Sequence, residues 1–351
     1  MYSDEDLNSA VAAGAISADA AKALRAHVAD LRQIAHGDEE SFRLLTSFND
    51  IFVTVAAVIL LIAVGTLGTL IFEPLGALFV GAAAWGLGEY FALRRRMALP
   101  SVVLTIAFIG AVVALPAFLA DLALPHGPAE AWGVIVGGLL ATGAAWLHWR
   151  RFKVPIAIAA GAASAVLLVV IAVMAITTGY NGRPEEAVML PVITIGGLVV
   201  FGFAMWWDMQ DPQRTTRRSD VAFWLHLLAA PLIAHPLFTW FGVFDGAALG
   251  PAGAIAILVI YVALGCVALA IDRRALLVSA LAYVLAAVGE LIESFGAVEA
   301  GFAVTMLVIG SALLLLSAAW SQIRAAVVSL LPASLAAKLP PVETAPSPLP
   351  A

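Results

Sequence analysis

Five ionisable residues lie within apolar stretches of the sequence, where a charge is costly and is therefore a candidate for function. They are His226 and His235 in "FWLHLLAAPLIAHP", Glu290 and Glu293 in "GELIE", and Glu89 in "WGLGEYFALRRR". Imidazole and carboxyl groups can exchange protons near neutral pH when their surroundings tune them. The sequence therefore predicts that these five residues form a ligand or proton pathway.

The two histidines share their stretch with Pro231 and Pro236. Each proline removes a backbone hydrogen bond to the carbonyl four residues earlier. An interruption of the helix is predicted, with a polar cavity beside it that His226 lines. The alternative is that His226 hydrogen-bonds a neighbouring helix and His235 lies near the outer interface.

Depth along the helices pairs one histidine with one glutamate. Counted from the inner helix ends, His226 lies about 9 Å deep, whereas His235 and Glu290 both lie about 22 Å deep. We therefore predict a pair of His235 with Glu290, with Glu293 close to the same face. An alternative remains open for each of two residues. For Glu290 it is a position at the outer interface, and for Glu89 it is an extension toward the arginines at the inner interface.

The composition places these residues in a membrane protein. Hydrophobic residues make up 62% of the 351 residues and charged residues 12%, against about 25% charged in a soluble domain. Nothing in the sequence forms a basic nucleic-acid surface. The predicted partners are the lipid bilayer, a small solute or a protein, and no nucleic acid.

The apolar stretches are long enough for ten membrane-spanning helices, each of roughly 20 residues. The predicted spans are 50–72, 74–93, 100–122, 130–148, 154–176, 188–207, 220–242, 251–271, 275–295 and 299–320. The predicted fold class is an all-α polytopic membrane bundle. Ten spans also divide into two five-helix halves, which would make the halves inverted repeats.

Basic residues set the orientation, because Lys and Arg remain on the cytoplasmic side. With the N-terminus inside, only Arg183 of the 18 basic residues falls outside, which leaves 17 inside. Both termini are therefore predicted to be cytoplasmic, in the inner membrane of a bacterium. Asp208, Asp211 and Asp220 are expected in the inner loop beside its arginines. The arginine pairs begin at 94, 150, 217 and 273, which indicates a weak repeat of helical hairpins.

The chain ends differ from the apolar centre. Residues 1–48 are predicted to form a cytoplasmic helical hairpin and lead-in, with helices at 4–13 and 17–35, before a membrane domain at 49–320. Residues 321–339 repeat apolar side chains at three- and four-residue steps and predict an interfacial amphipathic segment. The Pro-rich tail, 340–351, is expected to be disordered.

Three stretches resemble bacterial multi-pass membrane proteins of unknown function that begin with a short helical hairpin. They are "VAAGAISADAAKAL" (11–24), "SFNDIFV" (47–53) and "FWLHLLAAPLIAHP" (223–236). The resemblance covers most of the chain and implies the same layout. It implies no activity, because none of these stretches encodes chemistry.

Glycine and alanine at four-residue spacing predict close helix contacts at Gly133, Gly137, Ala157, Gly161 and Ala165, and such faces also offer a surface for an oligomer. No GxSxG, Walker A, HExxH or CxxC motif occurs, and the single cysteine, Cys266, is expected to be a buried thiol. No enzyme activity, metal or cofactor is therefore predicted. The sequence favours a transporter or permease for a small solute, with coupling to protons as one form of this hypothesis. The alternative is a membrane sensor or scaffold that acts through its cytoplasmic ends.

Overall fold

A computed structural model describes residues 4–24, 48–123, 128–178, 186–214, 216–241, 250–274, 276–278, 281, 284, 285, 288 and 301–342. No strand occurs among these residues, and the predicted all-α class is confirmed. The helices are α1 (Asp4–Ala12), α2 (Phe48–Ile71), α3 (Glu73–Gly88), α4 (Ala98–Ala123), α5 (Pro128–Phe152), α6 (Ile156–Thr178), α7 (Glu186–Asp208), α8 (Arg217–Trp240), α9 (Gly250–Ile271), α10 (Gly301–Ala318), α11 (Trp320–Ser329) and α12 (Ala333–Ala336). A π-helical turn, Glu89–Arg94, extends α3.

Seven helices in the described part of the chain are long and apolar enough to cross a membrane. They are α2, α3 with its π-helical turn, α4, α6, α7, α8 and α9, and α10 with α11 adds one more if this bent pair is a single span. These helices are compatible with a membrane protein. The fourth predicted span lies in α5, which is not among the seven, and the ninth lies mostly outside the described residues. The total of ten spans therefore remains a prediction.

The outward faces of these helices are apolar. Phe48, Leu70 and Ile176 are each more than 75% exposed, and many smaller aliphatic side chains are exposed with them. An apolar surface of this extent marks a membrane or protein contact surface, which is compatible with a membrane protein. Cys266 is also exposed, so the expectation of a buried thiol is wrong; it lies on the outward face of α9.

Helix α8 is the most buried of the seven candidate spans. Val221, Leu225 and Ala229 have no exposed surface and pack against α6 and α7. The helix runs from Arg217 to Trp240 through both internal prolines, so the predicted interruption is wrong. Because the helix is continuous, residues nine positions apart lie on opposite faces, and accordingly His226 is buried whereas His235 is exposed.

The arginine-rich turns share one backbone feature. Each contains a residue other than glycine with a positive φ: Arg96 at 52°, Lys153 at 55°, Arg214 at 52° and Asp272 at 57°. The end of the bundle formed by these turns is called the basic end below. The common geometry favours reuse of one kind of helical hairpin, although the sequence repeat itself remains a prediction.

We expect Arg96→Gly to be more stable than Arg96→Ala by about 1 kcal/mol, because only glycine adopts this conformation without a steric cost. Arg96 is exposed, so the comparison isolates the backbone. At Arg94, inside the π-helical turn, the order should reverse, since glycine costs about 1 kcal/mol in a helix. Thermal unfolding in detergent measures both pairs, and the same order at both positions would contradict the argument.

The chain divides into two compact units, residues 43–342 and residues 1–42 with 343–351. In the smaller unit α1 is followed by a turn at Gly14, whose φ is +71°, and by helical residues 18–24. The Ser17 hydroxyl accepts a hydrogen bond from the amide of Ala20, 3.1 Å away, and so caps the second helix. This agrees with the predicted start of the hairpin; residues 25–47 lie outside the described residues, as does the tail from residue 343.

The segment after α10 changes direction. Helix α11 bends by 75° from α10, and Trp320 at its first position is buried against the end of α9. A bend of this size would turn the segment along a membrane surface if α10 crosses the membrane. The interfacial position of residues 321–339 remains a prediction, and the geometry is the one it requires.

Candidate functional site

Four residues form a buried polar cluster at the basic end: Asp208, Ser219, His226 and Arg273. The Asp208 carboxylate accepts hydrogen bonds from Arg273 Nη2 at 2.5 Å and Nε at 3.3 Å, and its Oδ2 lies 2.8 Å from His226 Nε2. Arg273 Nη2 also donates to the Ser219 hydroxyl at 3.1 Å. The cluster therefore joins the end of α7, the start of α8 and the turn after α9.

The end of α9 positions Arg273. The amide of Asp272 donates to the Leu269 carbonyl at 3.2 Å, and the amide of Arg273 donates to the Ala268 carbonyl at 2.9 Å. This is the Schellman pattern, in which the residue after the helix takes a positive φ and is usually glycine. Here that residue is Asp272. The pattern directs two adjacent charged side chains, Asp272 and Arg273, into different sites.

A second polar group, called the Asp272 junction below, consists of Asp272 and the three side chains that contact it, Arg214, Trp320 and Arg324. Arg214 Nη1 and Trp320 Nε1 each donate to the Asp272 carboxylate at 2.8 Å, and Arg324 Nε lies 3.7 Å from it. Arg324 also donates to the carbonyls of Pro340 at 2.6 Å and Pro341 at 3.1 Å. The junction thus fastens residues 320–341 to the turns after α7 and α9.

The turn between α7 and α8 is fixed by its own side chains. Asp211 Oδ2 accepts hydrogen bonds from the Thr216 amide at 2.8 Å and from its hydroxyl at 2.7 Å. Thr216 in turn caps α8 by accepting from the Arg218 amide at 3.2 Å. Arg214 of the Asp272 junction lies in this turn, between Asp208 and Ser219 of the buried cluster. The same short stretch of chain therefore holds both groups.

The surroundings of His226 define what it can do. Its ring is fully buried and packs edge-on against Phe201 at a centroid distance of 5.3 Å. An ionised Asp208, paired with Arg273, requires Nε2 to donate the proton, while Nδ1 has no hydrogen-bond partner within the described part of the chain. A carboxylate behind an imidazole is an arrangement used in general-base catalysis. The ring has no exposed surface, and the hydrogen bonds of the cluster link α7, α8 and the turn after α9.

Of the three predicted site residues that the structure describes, which are His226, His235 and Glu89, only His226 is in this cluster. His226 hydrogen-bonds Asp208 on a neighbouring helix, as the alternative interpretation of His226 expects. His235 is exposed on the opposite face of α8. Glu89 forms an ion pair with Arg151 at 2.6 Å, as the alternative interpretation of Glu89 expects. Glu290 and Glu293 lie outside the described residues, so the pairing of His235 with Glu290 remains a prediction.

Three members of the cluster, Asp208, Ser219 and Arg273, are not among the predicted site residues. Asp208 is expected from the sequence beside the arginines of its own loop, and the structure adds a partner, Arg273, that lies 65 positions away along the chain. The sequence does hold one signal: Asp208 directly follows the apolar run "LVVFGFAMWW". A carboxylate at such a position needs a cation, and the hairpin pattern offers Arg273 at a comparable depth.

A further buried histidine, His148 in α5, lies outside the predicted set. Its ring is 2% exposed and lies among Trp85, Phe108 and Phe152 at centroid distances of 5.9, 5.5 and 4.4 Å. Its Nδ1 has no hydrogen-bond partner among the described residues. The aromatic rings enclose it, so this histidine joins the packing of α3, α4 and α5.

Metal ligation finds no support in the described ranges, where no group of three or more His, Cys, Asp or Glu side chains could hold an ion. Comparisons with protein-family models, with curated proteins and with solved structures found no match to this chain.

Proposed function

We propose that this chain is a non-enzymatic integral protein of a bacterial inner membrane that acts as a sensor or scaffold through its cytoplasmic ends. The proposal includes membership of the bacterial multi-pass proteins that begin with a helical hairpin. The helices at 4–12 and 18–24 support that membership, and the basic turns at one end of the bundle support the orientation.

One observation carries the proposal: Asp272 binds the C-terminal segment, while its neighbour Arg273 binds the core of the bundle. A change in the packing of α7, α8 and α9 would move the turn that holds both residues. Such a change would therefore reach residues 320–341 through adjacent backbone positions. A sensor requires an element with two arrangements, and in this proposal the turn at Asp272 and Arg273 is that element.

The test is hydrogen exchange of residues 320–342 in the full-length protein in detergent. Asp272→Asn tolerates a positive φ, since asparagine adopts this region readily, but it removes the carboxylate charge. Hydrogen bonds to charged groups contribute about 1.5–3 kcal/mol each, so we expect exchange in this segment to accelerate about tenfold or more. Glu89→Gln, which removes another acid at the basic end, should leave the segment unchanged.

A second variant tests whether a change inside the helix bundle alters hydrogen exchange in residues 320–342. His226→Phe keeps a ring in the buried cluster but removes the hydrogen bond to Asp208. A sensor requires this change to alter exchange in residues 320–342, although His226 does not contact them. Unchanged exchange in His226→Phe would leave a scaffold at most, and unchanged exchange in Asp272→Asn would overturn the proposal.

Transport coupled to protons is the second candidate, because ionisable groups buried among apolar helices often mark proton pathways. The buried cluster contains three such groups, His226, Asp208 and Arg273. Proteoliposomes that enclose a pH-sensitive dye distinguish the two candidates. A proton flux that His226→Phe abolishes would favour transport, whereas we expect no flux that depends on this residue.

A further inference from the structure

A groove of 560 Å³ opens between α6 and α7, and α5 contributes one residue, Thr142, to its lining. The other lining residues are apolar, and the Thr142 hydroxyl already donates to the Gly138 carbonyl at 2.9 Å. Along α6 the lining extends from Gly161 to Val173, which is about 18 Å of helix. One leaflet of the hydrocarbon core is about 15 Å deep, so the groove has the length and polarity of a lipid chain.

The packing of the helices explains why the groove is open. Helices α6 and α7 approach closely at Gly196, where an added Cβ would lie 2.9 Å from Val166 Cγ1. On their inward side both helices pack against α8 through Ala159 and Val200. The open side faces away from the bundle, and Val199 on the groove lining is 66% exposed there.

Aromatic side chains continue the groove toward the basic end. The Phe203 ring, which lines the groove, stacks on Trp206 at 5.7 Å and meets Trp207 at 6.3 Å. Trp207 in turn meets Trp149 at 6.3 Å. Lys153 Nζ lies 5.3 Å above the ring of Trp149. Tryptophan favours the depth of lipid headgroups, so the polarity changes here as it does along a phospholipid.

Two cations lie at this end of the groove. Thr142, Trp146 and Arg150 recur every four residues on one face of α5, and the Arg150 guanidinium lies 4.9 Å above the ring of Trp146. Arg150 and Lys153 are exposed, and neither has an acidic partner in the described part of the chain. The intervening Arg151 is neutralised by Glu89. The available charge beside the groove is therefore positive.

We propose that this groove binds an acyl chain of an anionic phospholipid whose phosphate contacts Arg150 and Lys153. The apolar lining, the tryptophans and the two cations follow the order of chain, interface and phosphate in such a lipid. A cation near a membrane surface attracts an anionic lipid by an amount that corresponds to about fivefold in affinity.

Native mass spectrometry of the full-length protein in detergent tests the proposal, with phosphatidylglycerol and phosphatidylcholine of identical chains as the titrants. The protein should bind phosphatidylglycerol at least about fivefold more tightly than phosphatidylcholine. Arg150→Gln and Lys153→Gln should each weaken phosphatidylglycerol binding about fivefold. Arg94→Gln removes an exposed cation elsewhere at the basic end and should leave binding unchanged.

Variants that fill the groove test whether the acyl chain of the lipid binds there. Val199→Trp should weaken phosphatidylglycerol binding about tenfold or more, because the acyl chain of the lipid can then bury fewer of its methylene groups in the groove. Leu198→Trp is the matched control: Leu198 is the neighbouring residue, is 54% exposed and does not line the groove. Its effect should stay within about twofold. If Val199→Trp proves unstable, Val169→Trp on the opposite wall, 55% exposed, replaces it.

Four results would overturn the proposal. Equal binding of both phospholipids would remove the role of the cations, and equal effects of Val199→Trp and Leu198→Trp would place the lipid elsewhere. Oleic acid binding as tightly as phosphatidylglycerol would exclude recognition of the phosphate. A lipid-independent dimer that Val199→Trp dissociates would show that a second copy of the chain occupies the groove.

Discussion

Replacing Arg273 by methionine is expected to lower the free energy of unfolding by about 3–5 kcal/mol, because Asp208 would remain buried without its countercharge. The side chains of this pair are 3% and 5% exposed. Arg151→Met provides the control, since its pair with Glu89 is 52% and 36% exposed and water screens it. We expect the control to have a much smaller effect in the same measurement, reversible unfolding in mixed detergent and SDS.

A double-mutant cycle separates the interaction from the individual losses. Asp208→Asn should also be strongly destabilising, because it leaves the Arg273 charge buried without a countercharge. Asp208→Asn with Arg273→Met removes both charges, so the double variant should lose less stability than the sum of the single variants. Additive losses, or an Arg273→Met effect no larger than that of Arg151→Met, would show that the buried pair does not hold α7 to the end of α9.

Gly137→Ala is expected to destabilise the protein by about 1–3 kcal/mol, because the new methyl group cannot fit between α5 and α4. Its Cβ would lie 2.5 Å from the Val113 carbonyl oxygen and 3.2 Å from Val113 Cα. These are backbone atoms of α4, which cannot rotate away as a side chain can. The whole helix must move, and its packing along α5 suffers.

Gly143→Ala, in the same helix, is the matched control for this prediction. An added Cβ at Gly143 meets no atom within 4 Å, so the change should stabilise α5 by up to about 1 kcal/mol through helix propensity. Thermal unfolding in detergent should therefore separate the two variants by about 1–4 kcal/mol. Equal changes in stability, in the same direction, would show that the effect of Gly137→Ala comes from helix propensity and not from the contact with α4.

The glycine contacts show which features of the packing the local sequence predicts. The GxxxG spacing of Gly133 and Gly137 predicted close helix packing, and both positions meet the backbone of α4. The spacing works because residues four positions apart share one face of a helix, whichever neighbour they meet. It could not name α4 as the neighbour, since helix periodicity contains no information on the partner.

Helix α8 shows the opposite case. Two prolines predicted an interruption, yet the helix continues through both. The carbonyl that each proline leaves unpaired costs less than breaking the buried packing of Val221, Leu225 and Ala229, which have no exposed surface. Tertiary packing routinely overrides local preference in this way, and the sequence offers no measure of that packing.

The sequence by itself determined the helical class, the apolar stretches and the gathering of basic residues in alternate turns. These follow from local rules, because an apolar segment must satisfy its own backbone hydrogen bonds and does so as a helix. Only the tertiary structure decided the partners of the charges. Asp208 meets Arg273 and His226, and Asp272 meets Trp320, across separations of 65, 18 and 48 positions. Such contacts depend on which helices are neighbours and how they are rotated, and these are properties of the packed bundle.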